Sequence, residues 1–294
     1  NWTDIPPTPG YSIRTTIDIN LQDIVENELN RVLDSCSADW GCAILMEVST
    51  GDIKAISNLE RNADGTDYIE ALNYAVVGFE PGSVVKPISM MIALEDGLVD
   101  NLEEVIPIGA SWAYAGGRPI TDSHYNGSLR VREVIEQSSN IGMARIITRG
   151  YDKNPKGFVE RLRSIGFLEP MNTGIAGERV PYFNPEPGRV DLSRMCYGYA
   201  SQIPPIYTLS IYNAIANNGK YVRPRLVSSL VTEDFDSVIP VSYIRDRICS
   251  EENARKMQYM LKQVVWGAHG TGRSLKSDKV ALAGKTGTCY SVDP

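Results

Sequence analysis

Histidine is nearly missing from this 294-residue sequence: only His124 and His269 occur, far apart and outside any HExxH spacing. That excludes a histidine-built zinc site and leaves a Ser-His-Asp triad without a candidate, since neither histidine stands near a nucleophile signature. Cysteine is sparse too. The five cysteines (Cys36, Cys42, Cys196, Cys249 and Cys289) include no CxxC pair, so they read as small buried hydrophobes or idle thiols rather than a disulfide framework. No apolar run approaches the roughly 18 residues of a membrane span. The opening Asn1-Trp2-Thr3-Asp4-Ile5-Pro6-Pro7 has neither a basic nor an apolar signal segment, so any anchor or export signal is expected in a part of the gene product outside this sequence. Positive charge is outnumbered: 29 Lys plus Arg against 36 Asp plus Glu give a net charge of −7, a surface that repels nucleic-acid phosphates and anionic lipids. Polynucleotide binding is set aside on that ground.

What is present is an ordinary globular composition, 43% hydrophobic and 22% charged, with no internal repeat and no low-complexity tract. The length suits one large domain or two modest ones. Pro6, Pro7, Pro9 and Gly10 mark an extended lead-in. Leu21, Ile24, Val25, Leu29, Val32 and Leu33 share one helical face, which predicts a helix with Asn20 as its N-cap. Residues 43–48 and 53–56 flank Ser49-Thr50-Gly51-Asp52 and predict a β-hairpin, which needs further strands or a covering helix. Helical patterns follow over 83–99, in two patches within 129–149, over 206–217 with an Asn218-Gly219 stop, and over 251–266, broken at Gly267. Residues 170–190 read as loop, and 280–283 as a short apolar strand. Early strands, central helices and a late strand make a mixed α+β domain with an inserted helical region.

Three short motifs carry chemistry. In Ser83-Val84-Val85-Lys86, an SxxK tetrad, Pro81-Gly82 breaks the preceding chain and Pro87 is tolerated only in a helix's first turn. The helix therefore starts near Ser83, where free backbone N–H groups and the helix dipole favour developing negative charge. Lys86, three residues on, shares that face and can reach the Ser83 hydroxyl. It can act as a base only if burial or a neighbouring cation depresses its pKa. Alone the tetrad is weak, since about one SxxK is expected per chain of this size. Ser138-Ser139-Asn140 is an SxN motif at a helix start: a hydroxyl to relay a proton, an amide to hold a peptide group, or simple helix capping. In Lys285-Thr286-Gly287-Thr288 a lysine with flanking hydroxyls suits a carboxylate, and the glycine allows another backbone to come close. Two phosphate-loop imitations fail. Residues 267–274 have Arg273 for the lysine and follow a helix rather than a strand, and Gly284-Lys285-Thr286 has Lys279 where the upstream glycine belongs.

The order SxxK, SxN, KTG, each once, with 55 and then 147 residues between their first members, is the known signature of the penicillin-interacting serine enzymes. The sequence resembles the transpeptidase domain of monofunctional (class B) penicillin-binding proteins, and among these the septal, cell-division type. The likeness runs over nearly the whole chain. It takes in Thr15–Gln22, Thr50-Gly51-Asp52, Asn73-Tyr74-Ala75, Phe79–Ser83, Ser138–Gly142, Ala214–Gly219 and Ala283–Thr288.

The resemblance implies an antiparallel sheet with helices on both faces plus a helical subdomain, the active site lying between them. It implies residues 1–14 as the end of a linker from a non-catalytic pedestal and residues 15–294 as the transpeptidase domain. Further strands and a C-terminal helix would follow the six residues after Thr288, and without them the sheet would be split. By motif, Ser83 is the nucleophile toward the peptide bond between two terminal D-alanines of a peptidoglycan stem, and Lys86 is its base. Ser138 passes the proton to the leaving amine, and Asn140 holds the substrate amide. Lys285, Thr286 and Thr288 hold the terminal carboxylate around Gly287, and the Ser83 and Thr288 N–H groups form the oxyanion hole. β-Lactams would stay attached to Ser83, and no cofactor or metal is implied. The resemblance places the protein on the periplasmic side of the inner membrane, anchored by an N-terminal helix, among other wall-synthesis or cell-division proteins. Cys289 reads as a small buried residue beside the motif.

Three alternatives stay open: a β-lactam sensor or scaffold without turnover, a D-alanyl carboxypeptidase, and a serine β-lactamase. One large lactamase class uses a glutamate with asparagine four residues later. None of Glu160, Glu169, Glu178, Glu186, Glu233, Glu251 and Glu252 has that neighbour.

Overall fold

The computed structural model describes residues 10–124, 126–232 and 235–289. In chain order the elements are β1 (Ser12–Thr15), α1 (Ile19–Cys36), β2 (Trp40–Met46), β3 (Ile53–Arg61), β4 (Tyr68–Ile69), α2 (Lys86–Glu95), β5 (Val105–Gly109), β6 (Asn126–Arg130), α3 (Val131–Glu136), α4 (Asn140–Tyr151) and α5 (Pro155–Ser164). Then come β7 (Tyr182–Phe183), α6 (Arg189–Met195), β8 (Ser201–Gln202), α7 (Pro205–Ala216), β9 (Tyr221–Val222), β10 (Val227–Val231), β11 (Asp236–Val238), β12 (Tyr243–Arg245) and α8 (Glu251–Trp266).

Two antiparallel three-stranded sheets, β2-β3-β4 and β1-β10-β11, are stitched together where Asp52 bridges Arg225. The Thr16 hydroxyl donates to the Ile53 carbonyl at 2.7 Å and to the Arg225 carbonyl at 3.0 Å, satisfying backbone groups at the seam. The hairpin stands as expected, with Ile44 opposite Ile56. Helix α1 covers one face through Leu29 and Leu33 against Leu59 and Tyr68. On the other face Ile44 and Ile56 pack on the principal core, and Asn213 of α7 donates to the Val48 carbonyl.

At the middle of that core lies α2, apolar on every side, as a helix surrounded by protein must be. Ile88, Met90, Met91 and Ile92 are fully buried, and at about 1.5–3 kcal/mol each they offset the several-kcal/mol penalty of carrying a buried amine on the same helix. This is what lets Lys86 sit at 0% exposure.

Several expectations need correction. The N-cap of α1 is Asp18, whose carboxylate accepts from the Asn20 and Leu21 N–H groups; Asn20 is already helical. Residues 12–14, which the resemblance implies to be the end of a linker, lie in β1 and pair with β10. Residues 1–9 lie outside the described residues. Helix α2 stops at Glu95, four residues early. Gly97, at φ +65°, turns the chain so that the Gly97 and Leu98 N–H groups bond back to Leu94 and Ala93. Residues 280–283 form no strand, because no partner strand lies alongside among the described residues. Their chain is tied to α8 instead, with Trp266 Nε1 donating to the Leu282 carbonyl at 3.0 Å and the Gly284 N–H to the Leu261 carbonyl at 3.1 Å.

Candidate active site

Ser83 stands in a short 3-10 turn, Gly82–Val85, that runs directly into α2. The segment around it is anchored on three sides. Phe79 exchanges backbone hydrogen bonds with Ile203, Glu80 accepts from the Ala200 N–H at 3.0 Å, and the Tyr212 hydroxyl donates to the Val84 carbonyl at 2.8 Å. Beneath it, the Gly82 N–H donates to the Gly198 carbonyl at 3.0 Å. A Cβ on Gly198, where φ is +106°, would lie 1.8 Å from the Gly82 oxygen. Gly97 also has positive φ, but a Cβ there meets nothing within 4 Å. Gly97→Ala is therefore expected to cost only the left-handed strain, about 1–2 kcal/mol. Gly198→Ala must also displace the Ser83 turn and should lower the melting temperature by more than about 10 °C. Equal melting temperatures for the two variants would show that close approach is not what requires glycine at 198.

The Lys86 amine reaches Ser83 Oγ at 2.9 Å, Ser138 Oγ at 3.1 Å and the Ser138 carbonyl at 2.6 Å. Two motifs 52 residues apart in their nearest members thus meet on one nitrogen. Burial is the main force lowering the Lys86 pKa, and the nearby Lys285 charge adds to it; against Asp122 and Cys196 the result is about 7. At neutral pH a sizeable fraction of the amine is unprotonated and can take a proton from Ser83.

In the SxN motif the capping and chemical readings fall on different serines. Ser139 is the N-cap of α4, its hydroxyl accepting from the Gly142 N–H at 2.8 Å. Ser138 sits at φ +59°, a conformation rare outside glycine, and turns its hydroxyl to Lys86. What holds this turn is Asp122, which the sequence reading missed. It accepts from the Ser139 hydroxyl at 2.5 Å, the Asn140 N–H at 2.6 Å and the Ile141 N–H at 3.1 Å. The Asn140 side-chain amide donates to the Thr121 carbonyl at 3.0 Å.

The third motif lies against the first. A Cβ on Gly82, at φ +57°, would be 2.2 Å from the Thr288 carbonyl oxygen, and one on Gly287 would be 2.8 Å from Val84. What comes close to Gly287 is the Val84 side chain; the nearest backbone atom, the Pro81 oxygen, would be 3.5 Å from that Cβ. Ser83, Ser138, Asn140, Thr286, Gly287 and Thr288 line a single cleft of about 480 Å³. His124 and Thr271 line it too. The Thr271 hydroxyl is 2.7 Å from that of Thr286, so the loop rejected as a phosphate cradle is a wall of this cleft.

Lys285 stands at the edge of this cleft, its amine 3.4 Å from the Thr286 hydroxyl. Its amine donates to the Thr286 carbonyl at 2.9 Å, and the residue lines a neighbouring apolar groove with Trp40, Phe79 and Tyr212. Burial lowers its pKa to about 8. Cys289 is exposed rather than buried, because the chain beside the motif runs along the surface; Cys196 and Cys249 are buried, and all five thiols are free. Among the described residues no His, Cys, Asp or Glu cluster could hold a metal ion, and no helix is long and apolar enough to cross a membrane.

A serine and a buried lysine on one helical segment, a second serine across from them and a KTG segment closing the cleft are the residue set that marks the penicillin-recognising serine enzymes. Residues 41–294 match the family described as penicillin binding protein transpeptidase domain, and the chain belongs to that family. Penicillin-binding protein PbpB of Mycolicibacterium smegmatis is 27% identical over 97% of this chain and 46% of its own length. Peptidoglycan D,D-transpeptidase FtsI of Escherichia coli is 27% identical over 97% of this chain and 47% of its own. The chain thus spans about half the length of the curated relatives it matches. Among solved structures, penicillin binding protein 3 of Mycobacterium tuberculosis complexed with aztreonam matches with a TM-score of 0.85 and 25% identity, over 97% of this chain and 66% of that one. The transpeptidase domain of Burkholderia pseudomallei penicillin-binding protein 3 gives 0.78 and 26%, over 97% and 80%. The α+β architecture, an antiparallel sheet faced by helices with a helical subdomain, is the fold shared with these structures.

Proposed function

We propose that this chain is the catalytic domain of a peptidoglycan D,D-transpeptidase of the septal type, acting on the outer side of the cytoplasmic membrane with other wall-synthesis proteins. The observation that carries this reading is the Lys86 amine set between two serine hydroxyls, 2.9 Å from Ser83 and 3.1 Å from Ser138. Unprotonated Lys86 takes the Ser83 proton as Oγ attacks the carbonyl between the two terminal D-alanines. The N–H groups of Ser83 and Thr288 stabilise the oxyanion. As the C–N bond breaks, the proton passes from Lys86 through Ser138 to the departing D-alanine amine. Asn140 orients the substrate amide. The Thr286 and Thr288 hydroxyls, with the positive charge of Lys285, hold the terminal carboxylate, and Gly287 lets that segment approach Val84. An acceptor amine then runs the steps in reverse and leaves a cross-link. β-Lactams take the donor's place and remain on Ser83.

The test uses full-length protein with a lipid-linked stem donor and an acceptor strand. Cross-linked stems, with one D-alanine released per link, are the expected product. Penicillin labelling without cross-links would instead indicate a sensor, and D-alanine release without cross-links a carboxypeptidase.

A further inference from the structure

A second cavity of about 700 Å³ is lined by Arg118, Thr121, Asn140, Arg194, Tyr197 and Tyr199, and by none of Thr286, Gly287 and Thr288. Thr121, Asn140 and Tyr199 line both cavities, so the two adjoin. The chain carries a net charge of −7, and arginines such as Arg14, Arg132, Arg149, Arg161 and Arg225 sit on carboxylates. Arg118 and Arg194 do not: among the described residues neither has an ion-pair partner. Half-buried Arg194 is pinned, one nitrogen donating to the Tyr197 hydroxyl at 2.5 Å and another to the Arg118 carbonyl at 2.6 Å. A guanidinium has five N–H donors, so most remain available. The Arg118 backbone is carried by a small hairpin in which Trp112 and Ile120 exchange hydrogen bonds, both 2.9 Å, and its side chain is exposed.

Two guanidiniums without ion-pair partners among the described residues, Arg194 pinned and Arg118 exposed beside it, form a ready carboxylate receptor next to the cleft. The geometry points to a subsite for a free side-chain carboxylate on the donor residue immediately before the D-Ala-D-Ala pair. This rests on the transpeptidase reading, which docks the donor's terminal carboxylate at Thr286 and Thr288. The chain on the other side of the scissile bond then leaves past Asn140, toward Arg118 and Arg194. The proposal names a substrate preference: a donor whose third residue is a diamino diacid over one carrying lysine.

Two N-acetylated peptides test it, identical but for that carboxylate, each competing with a fluorescent penicillin for Ser83 in the full-length protein. The diacid peptide should compete at least ~10-fold better, the size expected for charge-assisted hydrogen bonds. In Arg194→Gln and Arg118→Gln the ratio between the peptides should shrink, and in the double variant it should fall to within about twofold of one. Equal competition in the native protein, or a ratio that survives the double substitution, overturns the subsite. So does a loss of both peptides together, which means a structural role. If Ser83 takes no label, the catalytic reading fails instead, and titration calorimetry with the same peptides still measures the ratio.

Discussion

Ser83→Ala abolishes covalent capture of a β-lactam, and mass spectrometry of the native protein places the adduct on the peptide containing Ser83. The physical case has to separate Ser83 from Ser138, because the same amine reaches both hydroxyls, at 2.9 and 3.1 Å. Position on the backbone decides. Ser83 opens a helical turn, so N–H groups without helical acceptors lie beside its Oγ and point toward a developing oxyanion. Ser138 is a left-handed residue just before α4, and the N–H groups that open that helix are already taken, Asn140 and Ile141 by Asp122 and Gly142 by Ser139. The substitution removes one hydrogen bond to Lys86, so the variant should stay folded, with a melting temperature within a few degrees of the native protein. An adduct on Ser138, or undiminished labelling of Ser83→Ala, would reverse the assignment.

Lys86→Met, which fills the same buried channel without an amine, slows acylation of Ser83 by about 10²–10⁴-fold, the usual worth of a positioned base. In the native protein the acylation rate should climb with pH through about 7, as burial and the Lys285 charge release the Lys86 proton, and then level off. The variant should lose that limb. Stability carries the same sign. Unfolded lysine titrates near 10.5 and folded Lys86 near 7, so between these values the unfolded chain binds more protons and stability rises with pH. The burial penalty is present in full below about pH 7 and gone above about 10.5. The stability of Lys86→Met relative to the native protein should therefore fall as pH rises through that window, as chemical denaturation at stepped pH would measure. A native rate profile flat from about pH 6 to 8 would remove Lys86 as the base.

The legible part of this molecule is local. Pro87 can stand only in a helix's first turn, and that places Ser83 at the helix start; Leu21, Val25, Leu29 and Leu33 mark the covered side of α1, while Ile24 and Val32 of the same predicted face stand exposed, and Glu251–Trp266 is helical as its periodicity requires. The illegible part depends on partners distant in sequence. Asp122 holds the SxN turn from 17 residues away, and an isolated aspartate in a loop carries no signal of that role. Thr271 was hidden inside a motif resembling a phosphate cradle, since only the packing of its loop on Glu136 aims it at the cleft. The failure at 280–283 has the same origin: an apolar run becomes a strand only if another strand offers it a ladder.

The order of residues alone determined which groups could react, an SxxK serine with its lysine one turn on, a displaced SxN and a late KTG, and it determined the helix start that exposes the serine. Tertiary structure decided whether they could react together. A lysine's pKa answers to burial and neighbouring charge rather than to its place in a motif, and only the packed core around α2 brings Lys86 near neutrality. Likewise no motif could say that Ser139 caps while Ser138 faces Lys86, because that division depends on one left-handed residue held by a carboxylate from another loop.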